Sequence, residues 1–406
     1  MARIKPKITQ CKLLSFIGFS YNPSMSIFFI HAFCLFFLLF TSASEGTYRF
    51  DNVKANLVRI AVKKSSNIEM ILMERTRIID IASRRTFITK AIMKLNVKAS
   101  NPGITINNTE FGNRVKIPPQ EDSLIRVDKN VYRGGIEIVK DDKGVLLVIN
   151  ELNVEEYLKG VLNEEISAKW HPESLKAQAV VARTYARYQK ENRKNNLYHM
   201  EATTADQVYG GVRNENEMTN KAIEDTKGIV LTYRGKFAKA FYHSISGGIT
   251  EDVTDVWGGE GEGYLKGIKC EFDKDAPNYH WETEIDAVDM EIALLKNGIK
   301  VDGIFSIEPT SFTSSKRVSE LQIRHRNGVE RISGVNFRKI IGYDEIKSTL
   351  FRIKKNEGSF VFYGRGSGHG VGLCQWGAKG MAERGYSFID ILKYYYPGIE
   401  IKKIKN

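Results

Sequence analysis

Apolar and polar positions alternate over much of the chain between residues 45 and 150. Val58, Ile60 and Val62 take every second place, Ile68 to Met73 is a short apolar run, and Gly134 to Asn150 reads as a hairpin folded about Asp142-Lys143-Gly144. A period of two is that of a strand with one buried face. Asn101-Pro102-Gly103 and Pro118-Pro119 punctuate the pattern as turns. From Val154 to about Gln189 the pattern becomes helical, with a break near Ser167 to Pro172. Pro172 suits a first helical turn, where its missing N–H costs nothing, and Glu173 complements the positive end of the helix dipole. Leu175, Ala179, Ala182 and Ala186 then recur at helical spacing, and the small alanines let another backbone approach closely. Strands are expected again over Ile229 to Tyr233 and Ala238 to Ser244. A helix from Val288 to Lys296 ends at Gly298 as a left-handed cap, and Ser387-Phe388-Ile389-Asp390 has the form of a capping box. With no repeats and no regular βαβ alternation, the class is α+β: a mixed core behind an N-terminal β-rich region.

The first 44 residues do not belong to that fold. Arg3, Lys5, Lys7 and Lys12 make a basic start, no acidic residue precedes Glu45, and the apolar run Ile27 to Phe40 ends at the small residues Thr41-Ser42-Ala43. The run is short against the roughly 20 residues of a membrane span, so a signal peptide is the first reading and an uncleaved anchor the second. Either one places the remainder outside the cytoplasmic membrane, in the cell envelope. Residues 45–145 form the β-rich region and 146–406 the mixed core. Losing the leader's four positive charges takes the formal net charge from +12 to +8. A basic exported protein meets anionic envelope polymers more readily than nucleic acid, and no zinc-finger spacing or long Lys/Arg run argues for the latter. Cys11 and Cys34 lie in the leader, which leaves Cys270 and Cys374 as one optional bridge.

Candidate chemistry centres on Glu164-Glu165, just before the helix that opens at Pro172. A carboxylic acid held against a packed, dry wall has its pKa raised toward neutrality and becomes a candidate general acid. The plain alternative is a pair of solvated surface carboxylates. His243 and Ser244 invite comparison with a nucleophilic pair, but neighbours on a strand face opposite sides and would not meet. Hydroxyls and amides lining a polar cleft, or turn residues, are the readings left for His243, Ser244 and Ser246. The glycine-rich loop Gly364 to Gly377 lacks the Gly-Lys-Ser/Thr ending of a phosphate loop. Its glycines more readily let His369 and the backbone approach a ligand or the helix behind Glu165, with a core histidine as the alternative. Trp257 and Tyr209 are aromatic groups suited either to stacking on sugar rings or to core packing.

Glu155-Glu156-Tyr157-Leu158 through Glu164-Glu165-Ile166, running into Trp170-His171-Pro172-Glu173-Ser174-Leu175, resembles the signature of the SpoIID/LytB family. The order of the remaining segments agrees. They are Tyr132-Arg133-Gly134-Gly135, Thr203-Thr204, Gln207-Val208-Tyr209, Tyr242 to Gly248, Val256-Trp257-Gly258-Gly259 and Gly364 to Ala378. The resemblance implies a peptidoglycan lytic transglycosylase and carries the catalytic role onto Glu165, which directly precedes the apolar Ile166. It also implies substrate contacts at Gln207, Tyr209, His243, Ser244, Ser246, His369 and Gln375. The implied partners are glycan strands, stripped of their stem peptides, together with a cell-wall amidase and a membrane partner. Two rival readings are a non-enzymatic amidase enhancer and a plain glycan-binding module. Some relatives hold zinc near the Thr-Thr segment. Here Glu201 to Tyr209 has neither cysteine nor histidine, so the expectation is no metal and no cofactor.

Overall fold

The computed structural model describes residues 56–120 and 122–404. The expected leader lies outside the described residues. Strands and helices are mixed without βαβ order, as the α+β reading requires. Leu57–Ser65 lies between Met200–Glu201 and Leu146–Asn153 in a seven-stranded sheet that continues through Gly135–Lys140, Arg114–Ile117, Arg77–Asp80 and Thr86–Ile88. That pairing crosses the 145/146 boundary between the two expected regions. The hairpin about Asp142 is present, with Lys140 opposite Leu146. A second, six-stranded sheet holds Asn67–Leu72 between Leu124–Val127 and Met93–Ala99.

Among the described residues the α-helices are α1 (Val154–Glu165), α2 (Pro172–Asn192), α3 (Glu217–Asp225), α4 (Val253–Trp257), α5 (Ala287–Lys296), α6 (Gly334–Ile341), α7 (Gln375–Ala382) and α8 (Phe388–Tyr395). Pro172 opens α2 and the side chain of His171 accepts from the Glu173 N–H. Both faces of α2 are covered. Ala179, Ala182 and Ala186 meet the sheet core, while Ala177, Val180 and Val181 join a second core with Leu373, Ile391 and Leu392. A helix covered on two faces belongs inside a domain, and its buried polar residues Gln178, Arg183 and Arg187 lie there with the alanines. A third core lies among α5, α6 and the strands His280–Asp286, Ile304–Phe312, Val318–His325 and Ser359–Arg365. The capping box at Ser387 and the left-handed Gly298 both occur as the sequence suggests.

The segment from Ala238 to Ser244 departs from its expected strand. Only Tyr242–His243 is extended in a ladder, parallel to Leu373–Cys374. Before it, the N–H groups of Ala240 and Phe241 bond the carbonyls of Ala238 and Lys239, two residues back, so the chain turns locally.

Gly160 fixes how α1 sits. A Cβ there would lie 2.5 Å from Tyr209 Cε2 and 2.9 Å from the Gly211 carbonyl oxygen. Gly160→Ala therefore overpacks this contact, and we expect a loss of about 1–3 kcal/mol in a urea melt. An unchanged midpoint would show that α1 shifts freely.

Candidate active site

Glu165 is the last residue of α1. The pair thus closes one helix, and six residues separate it from Pro172 and the next. Glu165 follows buried Val161 by four residues and buried Leu162 by three, so it continues the inward face, and it is half-buried while Glu164 is exposed. Burial raises its carboxyl pKa above the ordinary 4.5. The Tyr242 hydroxyl, the Val208 N–H and the Gln375 side chain pull it down, and the charge of Glu164 adds to the rise. The negative end of the α1 dipole works in the same direction as burial.

A directional chain of hydrogen bonds orients this group. Tyr157, on α1, donates to Gln207 Oε1 at 3.3 Å, and Gln207 Nε2 donates to Tyr242 Oη at 3.2 Å. Tyr242 Oη thereby accepts from Gln207 and keeps its own O–H for Glu165. Burial holds the Tyr242 phenol well above its usual pKa, so it stays a donor. The Val208 N–H reaches Glu165 Oε1 at 3.3 Å. Gln375 is buried at the first position of α7 beside Glu165, and its Nε2 has no partner among the described residues.

The glycine-rich loop explains how Gln375 arrives there. A Cβ on Gly372 would lie 2.0 Å from the Phe241 carbonyl oxygen, and one on Gly368 2.8 Å from His243 Cβ. Bare backbone is needed for Leu373–Cys374 to lie beside Tyr242–His243. The Trp376 N–H then bonds the Ser244 carbonyl at 3.1 Å.

The sequence candidates lie in different places. Glu165, Gln207 and Gln375 come together. His243 points the opposite way from Tyr242, as strand alternation demands. Its ring lies 5.7 Å from that of His369, which lies 5.0 Å from the ring of Trp257. Burial drops His369 to about 4 and His243 well below its usual value, so both stay neutral. Trp257 is 51% exposed, an open aromatic face beside His369. Ser244 is half-buried and engages Trp376 through its backbone. Ser246 is fully buried, donating to Asp273 Oδ2 at 2.7 Å.

Tyr209 is a correction to the sugar-stacking reading. It is 5% exposed, packed against Tyr132 and Tyr157, and its hydroxyl donates to Asn150. The Gly160 contact that fixes α1 needs this ring inside. Sequence reasoning missed Tyr242, although its place one residue before His243 puts it on the face opposite that histidine. It also passed over Asp273, which converges with Cys270 and Cys374 where no metal-ligand set was expected. The two cysteines are free thiols.

Two cavities of about 650 and 760 Å³ lie elsewhere, the first lined by His280, Trp281, Arg352 and Tyr363, the second by Tyr188, Arg234, Lys236 and Tyr264. No helix among the described residues is long and apolar enough to cross a membrane.

Comparison with known proteins places this arrangement. The family described as stage II sporulation protein matches residues 142–233, which span α1, α2 and Tyr209, and a domain of unknown function matches 265–372. Stage II sporulation protein D of Bacillus subtilis is 32% identical over 273 residues, covering 63% of this chain and 76% of the relative. An uncharacterized protein of Brachyspira hyodysenteriae is 32% identical over 300 residues, 74% of each chain. The amidase enhancer of Bacillus subtilis is 30% identical over 353 residues, and the match spans only 49% of that longer protein. With the helix that ends on Glu165, the Gln207-Val208-Tyr209 segment and the glycine-rich loop all in the family's order, the chain belongs to the SpoIID/LytB family.

Proposed function

We propose that the protein is a peptidoglycan lytic transglycosylase of the cell envelope, with Glu165 as its single acid–base residue. One observation carries this reading: a half-buried carboxyl at a helix C-terminus, its pKa raised by burial, held by the Val208 N–H with Tyr242 and Gln375 beside it. Such a group supplies a proton near neutral pH and takes one back. In the reaction, protonated Glu165 donates to the leaving O4 of N-acetylglucosamine as the C1–O bond of N-acetylmuramic acid breaks. The muramic C6 hydroxyl attacks C1, and its proton passes to the Glu165 carboxylate. The product carries a 1,6-anhydro ring, and no water enters. One carboxyl therefore suffices, where ordinary glycosidases use two. Trp257, exposed beside neutral His369, offers a sugar-stacking face.

The test is direct. Purified protein incubated with wall glycan releases 1,6-anhydromuropeptides, identified by mass spectrometry. Release only in the presence of an amidase would favour the enhancer reading that the relative's name suggests. A pH profile adds a second check. Only the protonated acid donates, so kcat/KM falls as pH rises through the Glu165 pKa, and the limb lies above 4.5. Glu164→Gln moves the limb slightly down by removing a repulsive charge. A limb at or below 4.5 would remove Glu165 from the acid role.

Substrate state follows from charge. Strands stripped of stem peptides expose a lactyl carboxylate on each muramic acid, and a mature formal charge of +8 favours that polymer. Amidase pretreatment of the wall raises cleavage, and the gain shrinks as salt screens the charges. Equal cleavage of stripped and peptide-bearing strands at low salt would count against this substrate.

A further inference from the structure

Away from Glu165, three donor atoms of metal-binding type meet in the interior. Cys270 and Cys374 are fully buried, Asp273 is 1% exposed, and their ligand atoms lie within 4.8 Å of one another. Tetrahedral zinc, with Zn–S near 2.3 Å and Zn–O near 2.0 Å, sets its ligand atoms roughly 3.5–3.8 Å apart. The Cys374 sulfur stands 3.5 Å from Asp273 Oδ2, so the carboxylate as a whole lies beside that thiol.

The surrounding hydrogen bonds orient the set. Asp273 Oδ2 accepts from the Ser246 N–H, the Ser246 hydroxyl and the Gly247 N–H, while Oδ1 is buried without a partner among the described residues. Oδ1 is therefore the oxygen left to ligate. The Cys374 sulfur accepts from the N–H groups of Ser246 and Gly377, donors that stabilise a thiolate. Tyr395 Oη lies 3.1 Å from Cys270 Sγ and can take the fourth position or bond that thiolate. Arg317, the fully buried cation nearby, spends its Nη groups on the Ile249 and Ser246 carbonyls and on Ser315.

We propose that Cys270, Asp273 and Cys374 bind one thiophilic divalent cation, with zinc the metal that this donor set suits. The site is structural. It ties the Ser246–Gly248 turn and the Cys270–Asp273 loop to the start of α7, one residue before Gln375. It lies apart from the Glu201 to Tyr209 segment and does not depend on the proposed reaction. Loading exchanges two thiol protons for the ion: M²⁺ binds two thiolates and the carboxylate already present, and two protons leave to solvent.

The experiment uses the purified, reduced protein with cobalt as an optical stand-in and zinc as competitor. The expected result is one ion per chain after gel filtration and a thiolate-to-cobalt charge-transfer band that zinc removes. Two protons are released per zinc bound, and the melting temperature rises. Cys270→Ser and Cys374→Ser each lose the band and weaken uptake by at least about tenfold, the lower end of what even outer-shell changes cost. Cys374→Ser is the safer variant, since Cys374 caps α7 and serine is a good N-cap. Free, titratable thiols with no cobalt band would overturn the proposal. A Cys270–Cys374 disulfide in protein isolated without reductant, combined with no uptake after reduction, would also overturn it.

Discussion

Glu165→Gln removes glycan cleavage while leaving fold and glycan binding in place. The amide matches the acid in shape and still accepts from the Val208 N–H, but it has no acidic proton to give the leaving oxygen. General acid–base catalysis contributes about 10²–10⁴-fold, and a mechanism with one carboxyl in both roles should lose at least that. Folding should not suffer, because the amide avoids the cost of holding a carboxylate in a half-buried place beside the negative end of α1. Anhydromuropeptide release, glycan pull-down and a thermal melt on the same preparation separate these effects. Glu164→Gln, on the exposed neighbour, keeps most activity. Wild-type cleavage by Glu165→Gln would end the enzymatic reading. Loss of binding along with cleavage would make Glu165 a glycan contact.

What the sequence revealed about this fold was local. Pro172 at the start of α2, the Ser387 capping box, Gly298 and the hairpin about Asp142 each depend on residues a few places apart, and each is where the pattern put it. What failed depends on partners far along the chain. The stretch from Ala238 to Ser244 has strand composition, yet its first half turns, and Tyr242–His243 finds its partner some 130 residues later at Leu373–Cys374. Tyr209 suits stacking and core packing equally until Gly160 and Tyr132 close around it and decide for the core. Asp273 stands only three residues after Cys270, but folding alone brings Cys374, 104 residues beyond Cys270, to the pair. The role of Glu165 came from family resemblance. Its physical setting, a helix end with Tyr242 and Gln375 beside it, required the tertiary structure.

The largest stability effect should come from Arg183. This residue on α2 is fully buried, with Nε 2.9 Å from Glu155 Oε1 and Nη2 2.7 Å from Oε2. Its remaining donors reach the carbonyls of Ile223 on α3 and Ile229 on the next strand. Glu155 sits in the first turn of α1, where the dipole favours a carboxylate, and also accepts from the Gly228 N–H. One guanidinium thus joins α1, α2, α3 and a strand. Arg183→Met leaves Glu155 without its countercharge in the interior, and losing one member of a buried pair costs about 3–5 kcal/mol. Arg183→Lys should recover little, since a single ammonium cannot match the bidentate fork and both carbonyls. The double variant Glu155→Met with Arg183→Met should be more stable than Arg183→Met alone, because it removes the stranded charge as well. Urea melts of wild type, Glu155→Met, Arg183→Met and the double variant form a cycle that isolates the pair from the packing around it. If Arg183→Met alone were as stable as wild type, water would have to reach Glu155, and the buried-pair account of how α1 is held, with Glu165 at its far end, would fail.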